Sequence, residues 1–276
     1  MKEYFYLISS LEDLELDSQK KLPSLYDFLE FCESQLTTKE FAELKKVFVF
    51  NDILNAVKIT DESKVSNYKA PSFYSEETYL ENLKDTELFF PFIATFLHNK
   101  KNGKREYTNL IESDELITLF YENLDTLSSN KFLKSYFLFE LDLKNAVTFI
   151  SMKKMNQEFN NYLIPFGDAY ERLIKTLSAE NLFPNIELLI ESLAGSDIIA
   201  TEKLMDQIRW KWLDNEVGNA YFSFSYILSY AIKLQAIERW HKLTDVSGKE
   251  MLDKLVNNIR SNIVFSDEFL KSGGKR

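Results

Sequence analysis

Two segments of this chain, ninety positions apart, carry one pattern: Asp52-x-x-Asn55-Ala56-Val57 and Asp142-x-x-Asn145-Ala146-Val147. Each lies in an otherwise aromatic and aliphatic stretch, so the polar pair is set where a helix is expected to be buried. Recurrence of such a pattern indicates one helical unit used more than once. Asp and Asn at i and i+3 share a helix face and can bridge to a neighbouring helix or accept its backbone donors. A buried polar group left unpaired costs roughly 1–3 kcal/mol, so a satisfied pair fixes the register of the two segments that it joins. We therefore expect Asp52, Asn55, Asp142 and Asn145 to hold repeated units together. A metal or acid–base site is the alternative, and it would need further carboxylates or histidines alongside; only His98 and His241 exist in the chain.

The rest of the chain favours helices. Only seven Gly and five Pro occur in 276 residues, and two of the Gly, Gly273 and Gly274, lie in the last four positions, so turns that need positive φ are few. With 45% apolar and 14% aromatic residues the chain can bury a sizeable core. We expect an all-α multi-helix body built from pseudo-repeated units, one domain over 1–276 with two or three quasi-repeated lobes near 1–90, 91–165 and 166–276.

Apolar residues at Leu25, Phe28, Leu29, Cys32 and Leu36 follow Pro23 at helical spacing. Thr38 reads as the N-cap of a helix that starts near Lys39 and runs into the first motif. The polar stretch from Asp61 to Ser75, with Pro71, reads as a connection. Further helices are expected over Glu76–Lys84, after Pro91 up to a turn at Asn99–Lys104, over Ser113–Asp125, and from Ser129 through the second motif to Met155. Pro165-Phe166-Gly167 breaks the chain. Beyond it the pattern gives helices over Asp168–Ser178, Pro184–Leu193, Thr201–Glu216, Ser223–Lys242 and Gly248–Ser261. Strands are defensible only at Tyr4–Ile8 and Lys46–Phe50, where aromatic and β-branched residues cluster.

Several function classes are disfavoured. A net charge of −10, from 43 acidic and 33 basic residues, opposes binding to nucleic acid or to anionic lipid. No run of eighteen apolar residues occurs, and the apolar run near the N-terminus is too short for a signal-peptide core. One cysteine rules out an internal disulfide and fits a reducing compartment, so a cytoplasmic protein is expected. The Gly-rich phosphate and dinucleotide loops, H-E-x-x-H and G-x-S-x-G are missing, so no catalytic residue, metal site or cofactor is expected. Cys32, on an apolar stripe without a base nominated nearby, reads as a core residue rather than a nucleophile.

In the last hundred residues, Ile208-Arg209-Trp210-Lys211-Trp212-Leu213-Asp214 places two of the three Trp on different faces of one helix. One face enters the core and the other reaches a second surface. Trp and Arg are enriched at interface anchors, so Arg209, Trp210 and Trp212 form a candidate partner interface, with core packing as the competing reading. The helix after it, beginning at Phe222, is apolar nearly all round and belongs inside a large helical body.

The run Phe224-Ser225-Tyr226-Ile227-Leu228-Ser229-Tyr230-Ala231-Ile232-Lys233-Leu234-Gln235-Ala236-Ile237-Glu238-Arg239 resembles the C-terminal helix of the central-stalk subunit of V-type and archaeal-type rotary ATPases. That subunit is called C in the archaeal and bacterial enzymes and d in the vacuolar one. The two Asp-x-x-Asn motifs are similar to the recurring Asp-x-x-Asn helices of its threefold repeat. A third copy would hold Lys233 and Ala236, or the Gln235–Arg239 register, in place of Asp and Asn. The opening Tyr4-Phe5-Tyr6-Leu7-Ile8-Ser9-Ser10-Leu11 resembles a divergent bacterial branch. The resemblance implies a non-catalytic, funnel-shaped subunit without cofactor, peripheral on the cytoplasmic face of the membrane. Its partners would be the rotor shaft subunits and the proteolipid ring, in an ATP-coupled transport of ions such as the hydrogen ion. A generic all-α scaffold or adaptor is the alternative.

Overall fold

Local capping chemistry sets where the first helices begin. The Ser24 side chain accepts from the Asp27 N–H while the Asp27 carboxylate accepts from the Ser24 N–H, a reciprocal box that starts a helix at Leu25. Thr37 and Glu40 repeat the arrangement. The cap is thus Thr37 rather than Thr38, because only Thr37 has a Glu three residues on.

The computed structural model describes residues 4–18, 20, 22–61, 64–65, 67–82, 85–159, 162–178, 186–195, 197–244 and 256. Within them the chain is all-α apart from one short hairpin. The helices are α1 (Phe5–Ser9), α2 (Leu25–Gln35), α3 (Thr38–Lys45), α4 (Val49–Val57), α5 (Glu76–Asn82), α6 (Pro91–Lys101) and α7 (Glu112–Glu122). They continue with α8 (Leu124–Leu127), α9 (Lys131–Lys154), α10 (Ala169–Ser178), α11 (Ile186–Ala194), α12 (Ile198–Val217) and α13 (Phe224–Thr244). The helix expected over Gly248–Ser261 lies outside the described residues, Val256 apart.

Both expected strands are helical. Tyr4–Ile8 falls in α1, and Lys46–Phe50 is a 3-10 turn at Lys46–Phe48 leading into α4. Packing overrides β propensity there, since Leu7, Ile8, Val47, Phe48 and Val49 are all buried at helical rather than alternating positions. The 3-10 turn also divides what the sequence suggested was one helix from Lys39 into α3 and α4. The two strands that do form, β1 (Ile59–Asp61) and β2 (Lys64–Val65), are antiparallel and lie in the segment read as a connection.

The helices pack in a closed circuit. α4 lies on α6 and α7, α9 carries α10 and α11, α11 meets α12, α12 meets α13, and α13 returns to α2 and α3. The two ends of the circuit are joined by the Glu238 carboxylate of α13, which accepts the Leu25 N–H at the start of α2 at 2.6 Å, and by Phe28 against Tyr230, with ring centroids 5.0 Å apart. The described parts of the first, middle and last lobes thus share one main core, with buried apolar side chains from Leu7 to Leu234, beside a small second cluster of Ala146, Leu163 and Leu173. α13 is buried along its length at Ile227, Leu228, Ala231, Leu234 and Ile237, as its nearly uniform apolar surface requires.

Aromatic rings couple the middle of the circuit. Phe120 of α7 touches Phe50 of α4, Phe92 of α6 and Phe137 of α9, at centroid separations of 5.6, 5.5 and 5.1 Å. Tyr121 donates its phenol to the Phe137 carbonyl at 2.8 Å. Phe120→Ala removes the ring on which four helices converge. It should lower unfolding free energy by about 3–5 kcal/mol, read as a reduced urea midpoint at unchanged slope.

Candidate functional site

Three of the four polar residues of the repeated motifs, Asp52, Asn55 and Asn145, are buried, and Asp142 is partly so. In the first, Asn55 and Asp52 are both fully shielded from solvent. The Asn55 carboxamide faces the backbone of Lys69 edge-on. Its Oδ1 accepts the Lys69 N–H at 2.7 Å and its Nδ2 donates to the Lys69 carbonyl at 3.0 Å. One turn earlier on the same face, the Asp52 carboxylate accepts the N–H groups of Phe73 at 2.8 Å and Tyr74 at 3.1 Å, and the Tyr79 hydroxyl at 3.2 Å. Asn51 adds a bond from its amide to the Pro71 carbonyl at 2.7 Å. Backbone N–H and C=O groups shielded from water must be paired, and here Asn51, Asp52 and Asn55, within little more than one turn of α4, supply the partners.

The second motif repeats the Asn half of this arrangement. Asn145 Oδ1 accepts the Ile164 N–H at 2.9 Å and its Nδ2 donates to the Ile164 carbonyl at 3.3 Å. The Asp half differs. Asp142 binds the guanidinium of Arg172, from α10, through Nε at 3.1 Å and Nη2 at 2.8 and 2.9 Å. Side chain replaces backbone as the donor, while the element being held is again the loop and helix that follow the motif. Where the spacing suggested that these four residues hold repeated units together, each instead ties its helix to the segment that follows it: Asp52 and Asn55 to the loop from Lys69 to Tyr74, Asn145 to Ile164, and Asp142 to Arg172 of α10.

A further signal in the sequence marks what the motifs hold. Asn67-Tyr68-Lys69-Ala70-Pro71 and Asn161-Tyr162-Leu163-Ile164-Pro165 share Asn-Tyr-x-x-Pro, and each clamped residue lies one or two positions before the proline. The repeat is thus a longer unit, Asp-x-x-Asn followed by Asn-Tyr-x-x-Pro, of which the first part alone was apparent by simple inspection.

The two carboxylates experience different fields. Burial pushes the Asp52 carboxyl up to about 7, against the downward pull of the Phe73 and Tyr74 amides, the Tyr79 hydroxyl and the charge of Lys45. Burial also raises Asp142, opposed by the Arg172 charge and its hydrogen bonds. Cys32 is buried, and the same desolvation pushes its thiol up to about 12, so it is held as an unreactive thiol. Among the described residues no group of three or more His, Cys, Asp or Glu side chains is placed to hold a metal ion.

A third buried carboxylate escaped the sequence reading. Asp206 of α12 is 3% exposed and accepts from Arg209 Nη1 at 3.0 Å, from Trp240 Nε1 at 2.7 Å, and from Arg239. Arg209 also grips Glu140 of α9 at 2.8 and 3.2 Å. Burial works against the charge of Arg209, but Glu140 and Asp206 outweigh it and hold the guanidinium firmly protonated. The network ties α9, α12 and α13 together. Its members are scattered over a hundred positions in the sequence, and only their shared burial relates them. Glu115 is a similar case: it is 1% exposed, pairs with Arg105 at 2.6 Å and accepts the Glu106 N–H at 2.8 Å.

The candidate interface on α12 is consequently divided. Arg209 is spent on this internal network. Trp212 stacks on Phe139 of α9, with centroids 4.7 Å apart and planes at 18°, and touches Phe132 and Tyr136. Of the two readings the sequence allowed for Arg209 and Trp212, these contacts favour core packing, with both side chains half-buried. Trp210, two residues and some 200° around the helix from Trp212, lies beneath Lys233, whose Nζ is 4.7 Å from the ring centroid, and lines a shallow depression beside Glu15 and Asp17. Lys233, suggested as the Asp equivalent of a third motif, instead covers this Trp and pairs with Asp214.

Asn145→Ala orphans the buried N–H and carbonyl of Ile164 and should cost about 1–3 kcal/mol for each orphaned group in a urea titration. Asn55→Ala should cost less, because Lys69 is exposed and water can replace the lost bonds. Asp52 gives a pH signature. The folded chain retains its proton up to about 7 whereas the unfolded chain releases it near 3.8, so the folded form binds more protons between these values. Its contribution is fully present below pH 3.8 and is lost as pH rises toward 7. Asp52→Asn should flatten that part of the stability–pH curve.

No curated protein and no solved structure matches the chain. One family model does, over residues 1–263: the protein of unknown function DUF2764. The repeated clamps at Asn55 and Asn145 both fall inside the matched region, and the chain belongs to the DUF2764 family.

Proposed function

We propose that the protein is a non-catalytic central-stalk subunit of a V-type or archaeal-type rotary ATPase, linking the rotating shaft to the proteolipid ring. The observation that supports this reading most strongly is the duplicated Asp-x-x-Asn unit, in which Asn55 and Asn145 clamp the backbone of the following loop in the same two-bond manner. The resemblance noted in the sequence rests on that motif, and its use in the fold is architectural rather than chemical. A subunit that passes torque must resist deformation. Closely packed interiors deform little, and loops tied down by buried hydrogen bonds add stiffness where a helical body is ordinarily softest.

On this reading the protein works at the cytoplasmic face of the membrane through protein contacts. No helix among the described residues is long and apolar enough to cross a membrane. Affinity purification of the tagged chain from gently solubilised native membranes, followed by mass spectrometry, is the test. Co-recovery of shaft and proteolipid-ring subunits is expected. Recovery of the chain alone, or with a partner unrelated to any ATPase, would overturn the stalk reading in favour of a helical adaptor.

A further inference from the structure

The N-terminal segment and the turn between α12 and α13 form a surface that the fold itself does not use. Phe5, Tyr6, Tyr221 and Phe222 are 51, 75, 57 and 39% exposed. Phe5 and Phe222 meet, their rings 4.2 Å apart, with Tyr6 and Tyr221 as their neighbours in the chain. The patch is held in place from beneath. The Tyr4 N–H donates to the Phe222 carbonyl at 3.2 Å, and the Tyr4 ring packs 5.8 Å from Phe224. Single exposed apolar residues need no explanation, but contiguous aromatic ones fixed by backbone bonds mark contact surfaces, and Tyr and Phe are enriched in them.

Among the described residues the charge beside the patch is mainly acidic. The segment after α1 carries Glu12, Asp13 and Glu15, all exposed, and among the described residues no cation pairs with any of the three. The depression beside Phe222 is lined by Asp13, Tyr221 and Tyr226. At its floor the phenol of Tyr226 is raised, first by burial and then by the charges of Asp13 and Asp214. Of the nearby lysines, Lys203 is paired with Asp17 and Lys233 with Asp214, while Lys211 lines the neighbouring depression with Glu15, so the acidic groups outnumber the basic ones on this side. An aromatic platform with an acidic rim repels nucleic acid and anionic lipid and complements a cationic polypeptide.

We propose that this face docks a partner protein through an amphipathic segment whose apolar stripe covers Phe5, Tyr6, Tyr221 and Phe222 and whose Lys or Arg flanks meet Glu12, Asp13 and Glu15. The inference depends only on the chemistry of this surface, so it stands or falls separately from the stalk reading.

The probe is a designed helical peptide with Leu and Trp on one face and Lys and Arg on the other, compared with a partner peptide of identical apolar face carrying Glu. Fluorescence anisotropy against the full chain should show saturable binding of the cationic peptide that weakens with salt, and at least tenfold weaker binding of the acidic one. Tyr6→Ser with Tyr221→Ser removes two largely exposed rings and should weaken binding roughly tenfold or more at an unchanged melting temperature. Glu12→Gln with Asp13→Asn and Glu15→Gln should weaken it and flatten the salt dependence. Equal binding of both peptides, or indifference to the tyrosine pair, would overturn the proposal. Concentration-dependent dimerisation abolished by Tyr6→Ser and Tyr221→Ser would overturn it too, by assigning the face to a second copy. So would binding to vesicles of anionic lipid that the same variants abolish.

Discussion

A carboxamide can do what a strand does: offer one donor and one acceptor, correctly spaced, to a single residue of another segment. Asn55 and Asn145 do this for Lys69 and Ile164, and the organisation of the body follows. Helices satisfy their own backbones, so helix packing raises no backbone accounting. The loops between them do, and a loop drawn into the interior is tolerable only when each of its polar groups is met. By meeting them from within a helix, the chain can hold its connections against the helices at chosen points, such as Ser72, Leu163 and Ile164, which are buried while much of the rest of each loop stays exposed. Among the described residues no buried side-chain nitrogen or oxygen lacks a partner.

The same reasoning explains why Asp52 and Asp142, equivalent in sequence, differ in environment. Asp52 meets backbone amides and a phenol, with no full positive charge in contact, and desolvation raises it far toward neutrality. Asp142 meets a guanidinium and keeps a quarter of its side chain exposed. The motif specifies position and the following segment specifies partner, so a repeat can be preserved in geometry while its chemistry drifts. Asp206 extends the theme with a third buried carboxylate on a third inner helix, here organising Arg209, Arg239 and Trp240.

What could be read in the sequence divides along the same line. Helical periodicity gave most helices to within a few residues, because apolar stripes and Ser or Thr caps are local signals. The Asp-x-x-Asn pairs were legible as architectural because polar residues in apolar helices are conspicuous. Their partners were not, since the clamped residues Lys69 and Ile164 are recognised by backbone, which leaves no trace in residue type. The same holds for β1 and β2, whose sequence is too polar for a strand pattern. For Arg209 and Trp212 the sequence showed a face without showing what stood opposite it. Glu140 and Phe139, neighbours on α9, decided that both point inward. Trp210 was left outside by the geometry of a helix, in which residues two apart cannot share a face.

The bond from Glu238 to the Leu25 N–H joins positions 213 apart in the chain. A nascent chain emerging at about 5–20 residues per second would carry the apolar stripe of α2 for on the order of tens of seconds before α13 exists to cover it. The circuit therefore closes only after synthesis has passed α13, and until then the protein presents its opening helices as an uncovered surface. Although most contacts in a helical body are local, a contact that spans this much of the chain must wait for its last partner.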